Sequence, residues 1–354
     1  MNVAEILEKW YIQNKRDLPW RNTTSPYHIW LSEIILQQTR VNQGLQYYLD
    51  FVDRYPRVED LASAGIDEVL KLWQGLGYYT RARNLHATAT AIVRDYGGIF
   101  PGTFRELIKL RGIGMYTAAA VASIAFKEPV ALVDGNVYRL LARYYGIDTP
   151  IDTAKGKQVF NRLADQLLDR RHPDIHNQAV MEFGALICLP KNPLCGSCPL
   201  SSSCIAFHAG RMDELPVKQG KNRLRQRYFN YLFILRNSGS FLSKRGGKDI
   251  WNSLYEFPLI ETETPVTYEQ LQSMQEWREI FGSTPVPPGI IPKTFRHQLT
   301  HQIIWCNFYF IKMQHDFKPG GDNYTPVAYG NLRDYAVPRL IDKYLVYLKQ
   351  EGLM

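Results

Sequence analysis

The sequence predicts a multi-domain chain: an all-α region over residues 1–210, then a smaller α+β domain over residues 228–354. Three observations carry this. Apolar residues recur at helical spacing in the first part, in "PYHIWLSEIILQQTRVNQGLQYYLDFVDRY", "VYRLLARYYG" and "AVMEFGALIC". Runs rich in aromatic and β-branched residues come later, in "YFNYLFILRNSGSFLSKR" and "HQIIWCNFYFIKM". The stretch between, residues 211–227 or "RMDELPVKQGKNRLRQR", is polar and basic and reads as a linker.

The helical half is punctuated by Gly and Pro at "GLGYY", "YGGIFPGT" and "GIG". In the second half, "YFNYLFILRNSGSFLSKR" predicts two strands around an Asn-Ser-Gly turn, and "HQIIWCNFYFIKM" a further strand. The chain closes on "VPRLIDKYLVYLKQE", an amphipathic helix with Pro338 in its first turn. Neither an internal repeat nor a low-complexity tract is visible.

The balance of 42 basic against 34 acidic side chains, net +8, points to an anionic partner, most often nucleic acid. "MNVAEILEKWYIQNKRDLPWRN" has scattered charges and no apolar core, so no signal peptide is expected. No apolar run approaches the ~18 residues of a spanning helix. The expectation is a soluble cytoplasmic protein with no membrane partner, associated with the nucleoid if bacterial. Its cysteines are then thiols or metal ligands rather than disulfides.

Four of the five cysteines fall together in "CLPKNPLCGSCPLSSSC": Cys188, Cys195, Cys198 and Cys204. Four thiolates so close suit either a tetrahedral zinc or an iron–sulfur cluster, and thiolate chemistry alone does not decide between them. Cys306, in an apolar strand, reads as core.

Three further features suggest chemistry. In "LRGIGMYTAAAVASIAF", Gly112 and Gly114 flank Ile113 directly before a helix of small residues. Such glycines permit positive φ, and the free amides at a helix start cradle phosphate; a plain interhelical turn is the alternative. Asp134, in "VALVDGNVYRLLARYYG", precedes a helical pattern and suits an N-cap, where the dipole favours its ionised form. Glu33 lies beside an apolar helix face, with Trp30, Ile29, Leu36 and Gln37 as its neighbours, so burial would raise its pKa; a surface glutamate at the stripe's edge is the alternative. Two carboxyl groups in opposite environments suit cleavage of a glycosidic bond.

Taken together, "LRGIGMYTAAA", "VDGNVYRLLAR", "LSEIILQQTRV", "GLGYYTRARNLH" and the C-x6-C-x2-C-x5-C spacing resemble the helix-hairpin-helix DNA glycosylases, and within them the MutY-type adenine DNA glycosylases. The resemblance spans almost the whole chain. It implies a helix-hairpin-helix glycosylase fold, with residues 25–137 as its six-helix part and 1–24 plus 138–210 as the part holding a 4Fe–4S cluster. The C-terminal α+β domain resembles a Nudix-like module that inspects 8-oxoguanine.

The resemblance also implies roles. Glu33 protonates adenine, Asp134 stabilises the cationic sugar, and Tyr116 and Asn136 are hydrogen-bonding companions of Asp134. Gly112, Ile113 and Gly114 grip DNA backbone. Gln38 and Tyr78 wedge the duplex, with Leu36, Thr39, Trp20 and Arg21 in substrate-facing segments. Leu299, Thr300 and His301 stand where the family usually has Phe-Ser-His; Thr keeps a hydroxyl, whereas Leu removes a stacking ring. Related glycosylases that also cleave the strand carry a lysine at the position of Tyr116, so a monofunctional enzyme is expected. The expected partner is duplex DNA with adenine opposite 8-oxoguanine or guanine, bound by a monomer. The alternatives are a bifunctional glycosylase/lyase, a non-catalytic lesion sensor whose cluster reports redox state, and a zinc-binding transcription factor.

Overall fold

Helix α1 (Val3–Asn14) opens on a reciprocal cap: Asn2 accepts from the Glu5 amide, and the Glu5 carboxylate accepts from the Asn2 amide. The computed structural model describes residues 2–220, 224–313, 316–321 and 323–353. Contacts within it group Met1–Ser63 with Arg83–Lys221, and Ala64–Ala82 with Asn222–Met354.

In the first unit, α2 (Pro26–Leu36), α3 (Val41–Arg54) and α4 (Val58–Ser63) follow α1. Helix α5 (Ile66–Leu72) belongs to the second unit, and α6 (Thr80–Tyr96) begins there and continues in the first. Then come α7 (Phe104–Leu107), α8 (Met115–Phe126), α9 (Gly135–Tyr145), α10 (Ala154–Leu167), α11 (Pro173–Leu186) and α12 (Ile205–His208). Helices α2 and α8 pack against each other, and α11 packs on α1, α8 and α9. Both α2 and α8 are buried on nearly every side: Ile29–Ile35 along α2, and Thr117–Ile124 along α8. The small side chains of "TAAAVAS" let α8 pack against α2. Glu33 therefore sits on a helix with little polar face to retreat to. No described helix is long and apolar enough to cross a membrane.

The second unit holds β1 (Arg225–Leu235), β2 (Gly239–Lys244), β3 (Tyr255–Glu256), β4 (Leu259–Thr262), α13 (Tyr268–Gln272), α14 (Gln275–Phe281), β5 (Lys293–Gln298), β6 (Gln302–Lys312), β7 (Thr325–Ala328) and α15 (Arg339–Gln350). The strands form one sheet in the order β4-β1-β6-β5 and another in the order β3-β2-β7. Strand β1 opens at Arg225, inside the stretch expected as linker. The turn after β1 is the expected one: Asn237 takes φ +53°, and Arg236 and Gly239 exchange both backbone hydrogen bonds. The strands on either side then part company. Strand β1 pairs in parallel with β6, while β2 enters the other sheet.

From Tyr231 to Ile234, strand β1 is apolar on both faces because both are covered there. Leu232 and Ile234 join a cluster with Leu271, Trp277 and Phe281 of α13 and α14. On the other side Phe233 packs edge-on against Tyr344 of α15, which stacks 4.2 Å from Phe308. Pro338 is the N-cap of α15 rather than part of its first turn.

Candidate active site

Three helices bring the carboxyl groups to one place. Helix α2 supplies Glu33, α8 supplies Tyr116 from its first turn, and α9 is capped by Asp134. All three side chains line a cleft of about 510 Å³, together with Trp20, Arg21, Leu36, Thr39 and Asn136. Eight of the residues expected at a site are thus gathered by the fold of the first unit.

Glu33 is 9% exposed. Its Oε2 accepts from the Tyr116 hydroxyl at 2.6 Å. Burial raises the Glu33 carboxyl to about 7; the Tyr116 hydrogen bond and the Arg21 charge pull it down, and the Asp134 charge pushes it up. Burial also keeps the Tyr116 phenol protonated, as a donor. Tyr116 is thus a companion of Glu33, not the direct hydrogen-bonding partner expected for Asp134. Its place in the first turn of α8 points it across the α2 contact.

Asp134 has the expected cap role. Its Oδ1 accepts from the amides of Asn136 and Val137 at 2.9 and 2.8 Å, and its Oδ2 from Asn136 Nδ2 at 2.7 Å. Asn136 is therefore its companion, as expected. Burial nevertheless pushes the Asp134 carboxyl up, against the pull of those donors and of Arg139. This corrects the expectation from the helix dipole alone: desolvation is the larger effect here. Every hydrogen-bond partner named is a donor, which is the arrangement that suits a carboxylate.

Sequence reasoning missed an ionic group in the same cleft. Glu182 of α11, 1% exposed, accepts two bonds from Arg21 (2.7 and 2.6 Å) and two from the Arg16 side chain (2.8 and 2.6 Å). Burial works against its charge, but the two guanidinium groups outweigh it and hold its carboxyl down at about 2. The signal was a lone acid inside the apolar pattern "AVMEFGALIC". One cleft therefore holds a carboxyl pushed toward its neutral form by apolar burial and another kept ionised by arginine.

Gly112 takes φ +74°, but Gly114 is extended at φ −89° and caps α8, so positive φ is needed at only one of the two. Ile113 is buried beneath the exposed glycines. A Cβ on Gly112 would lie 2.6 Å from Asn84 Cβ, so α6 closes on the turn. Asn84 Oδ1 accepts from Arg111 Nε at 3.0 Å, and the Thr88 hydroxyl donates to the Arg111 carbonyl. Gln38 stands outside the cleft lining in the left-handed region at φ +54°. In a non-glycine residue that conformation is held by its surroundings.

In the second unit, Tyr78 is also left-handed, at φ +50°, with an exposed ring. Its hydroxyl lies 2.5 Å from Thr300 Oγ1. Leu299, Thr300 and His301 form the tip between β5 and β6; Leu299 is half-buried, and Thr300 and His301 are exposed.

Cys188, Cys195, Cys198 and Cys204 line one apolar pocket with Leu140, Phe183, Leu194 and Phe207. Among the described residues no three His, Cys, Asp or Glu side chains converge closely enough for a single metal ion. Four soft thiols lining one apolar pocket are a donor set that suits a tetrahedral zinc or an iron–sulfur cluster. The pocket is tied to the cleft: Arg139 donates to the Cys188 carbonyl (2.6 Å), the Gly184 carbonyl (2.6 Å) and Asn136 Oδ1 (2.9 Å).

Comparison with known proteins places these features. Residues 31–166 match the model of the HhH-GPD superfamily of base excision DNA repair proteins, and residues 230–347 that of the NUDIX domain. An adenine DNA glycosylase of Buchnera aphidicola subsp. Baizongia pistaciae is 35% identical over 86% of this chain and 84% of its own length. One from subsp. Acyrthosiphon pisum is 31% identical over 98% and 97%. A solved thermostable thymine-DNA glycosylase superposes with a TM-score of 0.54 at 30% identity, covering 58% of this chain and 95% of its own. The chain belongs to the adenine DNA glycosylases, MutY-type enzymes of the helix-hairpin-helix superfamily that hydrolyse N-glycosyl bonds.

Proposed function

We propose that this enzyme excises adenine mispaired with 8-oxoguanine or guanine in duplex DNA and leaves an abasic site without cutting the strand. The observation that carries the mechanism is the buried Glu33 carboxyl, raised to about 7 and bonded to Tyr116 in a cleft shared with Asp134. Adenine must leave the stack to reach such a cleft. Glu33 gives its proton to adenine N7 as the C1′–N9 bond breaks, and the bonding electrons leave with the base. Asp134 stabilises the cationic sugar by its charge, and water adds to C1′, releasing a proton. Tyr116 has no amine with which to form an imine with the opened sugar, which supports hydrolysis over lyase chemistry.

Gly112 and the amides at the start of α8 fit a backbone phosphate, and Gln38 and Tyr78 fit the wedge. Leu299, Thr300 and His301 fit contact with the base opposite adenine. Cys188, Cys195, Cys198 and Cys204 would hold a 4Fe–4S cluster, which when bound cross-links the loop behind α9. A cytoplasmic monomer remains our reading.

The test is a labelled duplex with adenine opposite 8-oxoguanine, resolved with and without alkali. Breaks in the adenine strand only after alkali are expected. Breaks without alkali would contradict the monofunctional reading, and none in either lane would contradict excision.

A further inference from the structure

The segment Ala64–Ala82, read from sequence as part of the helical region, groups with the C-terminal sheets. Its turn is tightly made. Gly75 and Gly77 take φ of +102° and +75° before Tyr78 at +50°. The Gly77 carbonyl accepts from Trp73 Nε1 at 3.0 Å and from Arg81 Nη2 at 3.3 Å. The Arg81 guanidinium also lies 5.6 Å from the centre of the Tyr78 ring. Tyr78 thus leaves a fixed base and meets Thr300 at its tip.

The far end of the segment is anchored on the second sheet. Lys244 of β2 and Tyr255 of β3 are cross-strand partners. Both donate to Asp67, in the first turn of α5: Lys244 Nζ to Oδ1, and the Tyr255 hydroxyl to Oδ2 at 3.0 Å. Weaker ties follow along the segment, from Lys71 Nζ to the Tyr335 carbonyl and from the Val337 amide to Gln74 Oε1, each at 3.4 Å. Asp67 is therefore the point where α5 is hydrogen-bonded to two adjacent strands at once.

We propose that Asp67 is a positioning residue for lesion discrimination: by fastening α5 to β2 and β3 it keeps Tyr78 in register with Thr300. The wedge and the loop that reads the opposite base then form one piece, although they are far apart in the chain. This rests on the excision reading above and adds to it the residue that holds the two reading elements together. The Asp67 and Lys244 side chains are 46% and 39% exposed, so solvent screens the pair and its effect is modest. It acts on the choice between opposite bases, not on the chemical step.

The experiment measures single-turnover adenine release from duplexes with adenine opposite 8-oxoguanine and opposite guanine. It compares the wild type, Asp67→Lys, Lys244→Asp, the double variant and Tyr255→Phe. Asp67→Lys is expected to lower the ratio of the two rates about fivefold, through loss on the 8-oxoguanine duplex. The double variant restores the pair with reversed sign and returns the ratio to within about twofold of wild type. Tyr255→Phe, which removes one donor and little else, lowers the ratio about twofold. An unchanged ratio in Asp67→Lys, or a double variant no better than the single, would overturn the proposal. Should Asp67→Lys fail to fold, an unchanged ratio in Tyr255→Phe overturns it instead. A wild type that releases adenine from neither duplex overturns the excision reading and this proposal with it.

Discussion

The Tyr116 hydroxyl donates to Glu33 Oε2 at 2.6 Å, inside a helix pair that leaves the carboxyl little access to water. The bond favours the charged form of Glu33 and burial favours the neutral one; burial is the larger influence and sets the carboxyl at about 7. A helix that is apolar on almost every side has a cost at this position, and that cost leads to a stability prediction.

Below about pH 4.5, Glu33 is protonated in folded and unfolded chains alike. Between that pH and about 7 the native state keeps a proton that the unfolded chain releases, so stability falls as pH rises through the window. Glu33→Gln removes this slope and is expected to be more stable than wild type above pH 7, by up to about 3 kcal/mol. Denaturant unfolding at pH 5 and pH 8 checks it. Equal pH dependence in both proteins would place the carboxyl in water.

Asp134→Asn separates cap from chemistry. Asn caps helices nearly as well as Asp, so stability should change by less than about 1 kcal/mol. The charge proposed to oppose the sugar cation is lost, and single-turnover release should fall by about 100-fold or more. A variant that keeps its rate would leave Asp134 a cap alone.

Gly112→Ala meets two obstacles, a φ of +74° and the Asn84 side chain. A loss of about 1–2 kcal/mol in stability is expected, with weaker binding to any duplex. Pairing it with Asn84→Ala leaves the Asn84 Cβ in place 2.6 Å away and the backbone strain untouched, so little recovery is expected. Binding isotherms over a salt series check this. The loss of affinity should be similar at every salt concentration, because backbone amides neutralise no phosphate charge.

Arg139 joins Asn136, and through it Asp134, to the Cys188 carbonyl. Lysine keeps the charge but not the fork that reaches Asn136 Oδ1 and the Cys188 carbonyl together. With the proposed cluster bound, Arg139→Lys is expected to retain its visible charge-transfer absorbance while slowing adenine release about tenfold or more. Loss of the absorbance together with the rate would show that Arg139 serves the cysteine loop first.

What could be read from the sequence follows from locality. Helix α9 and its Asp134 cap are written in adjacent residues, as are the cysteine spacing and the turn at Asn237. Glu33 was legible as an acid near apolar neighbours, but its full burial depends on α8, whose alanines let it close in. The Glu182 pair with Arg16 and Arg21 was not legible, because its partners lie more than 160 positions away. Nor was the grouping of Ala64–Ala82 with the C-terminal sheets, which rests on Asp67, Lys71 and Gln74 finding distant partners. Gly114 shows a smaller limit: a glycine signals permission for positive φ, not its use.

The proposed mechanism requires a neutral, buried Glu33 to supply the proton. The most direct test is the single-turnover rate of adenine release from a duplex carrying adenine opposite 8-oxoguanine, measured from pH 5 to pH 9. The rate should fall about tenfold per pH unit above a midpoint near 7 as the acid form is lost. Glu33→Gln should be slower throughout, with that limb gone and its binding to the duplex intact. A wild-type rate that stays level or climbs above pH 7, or a Glu33→Gln enzyme that keeps the same limb, would contradict the account.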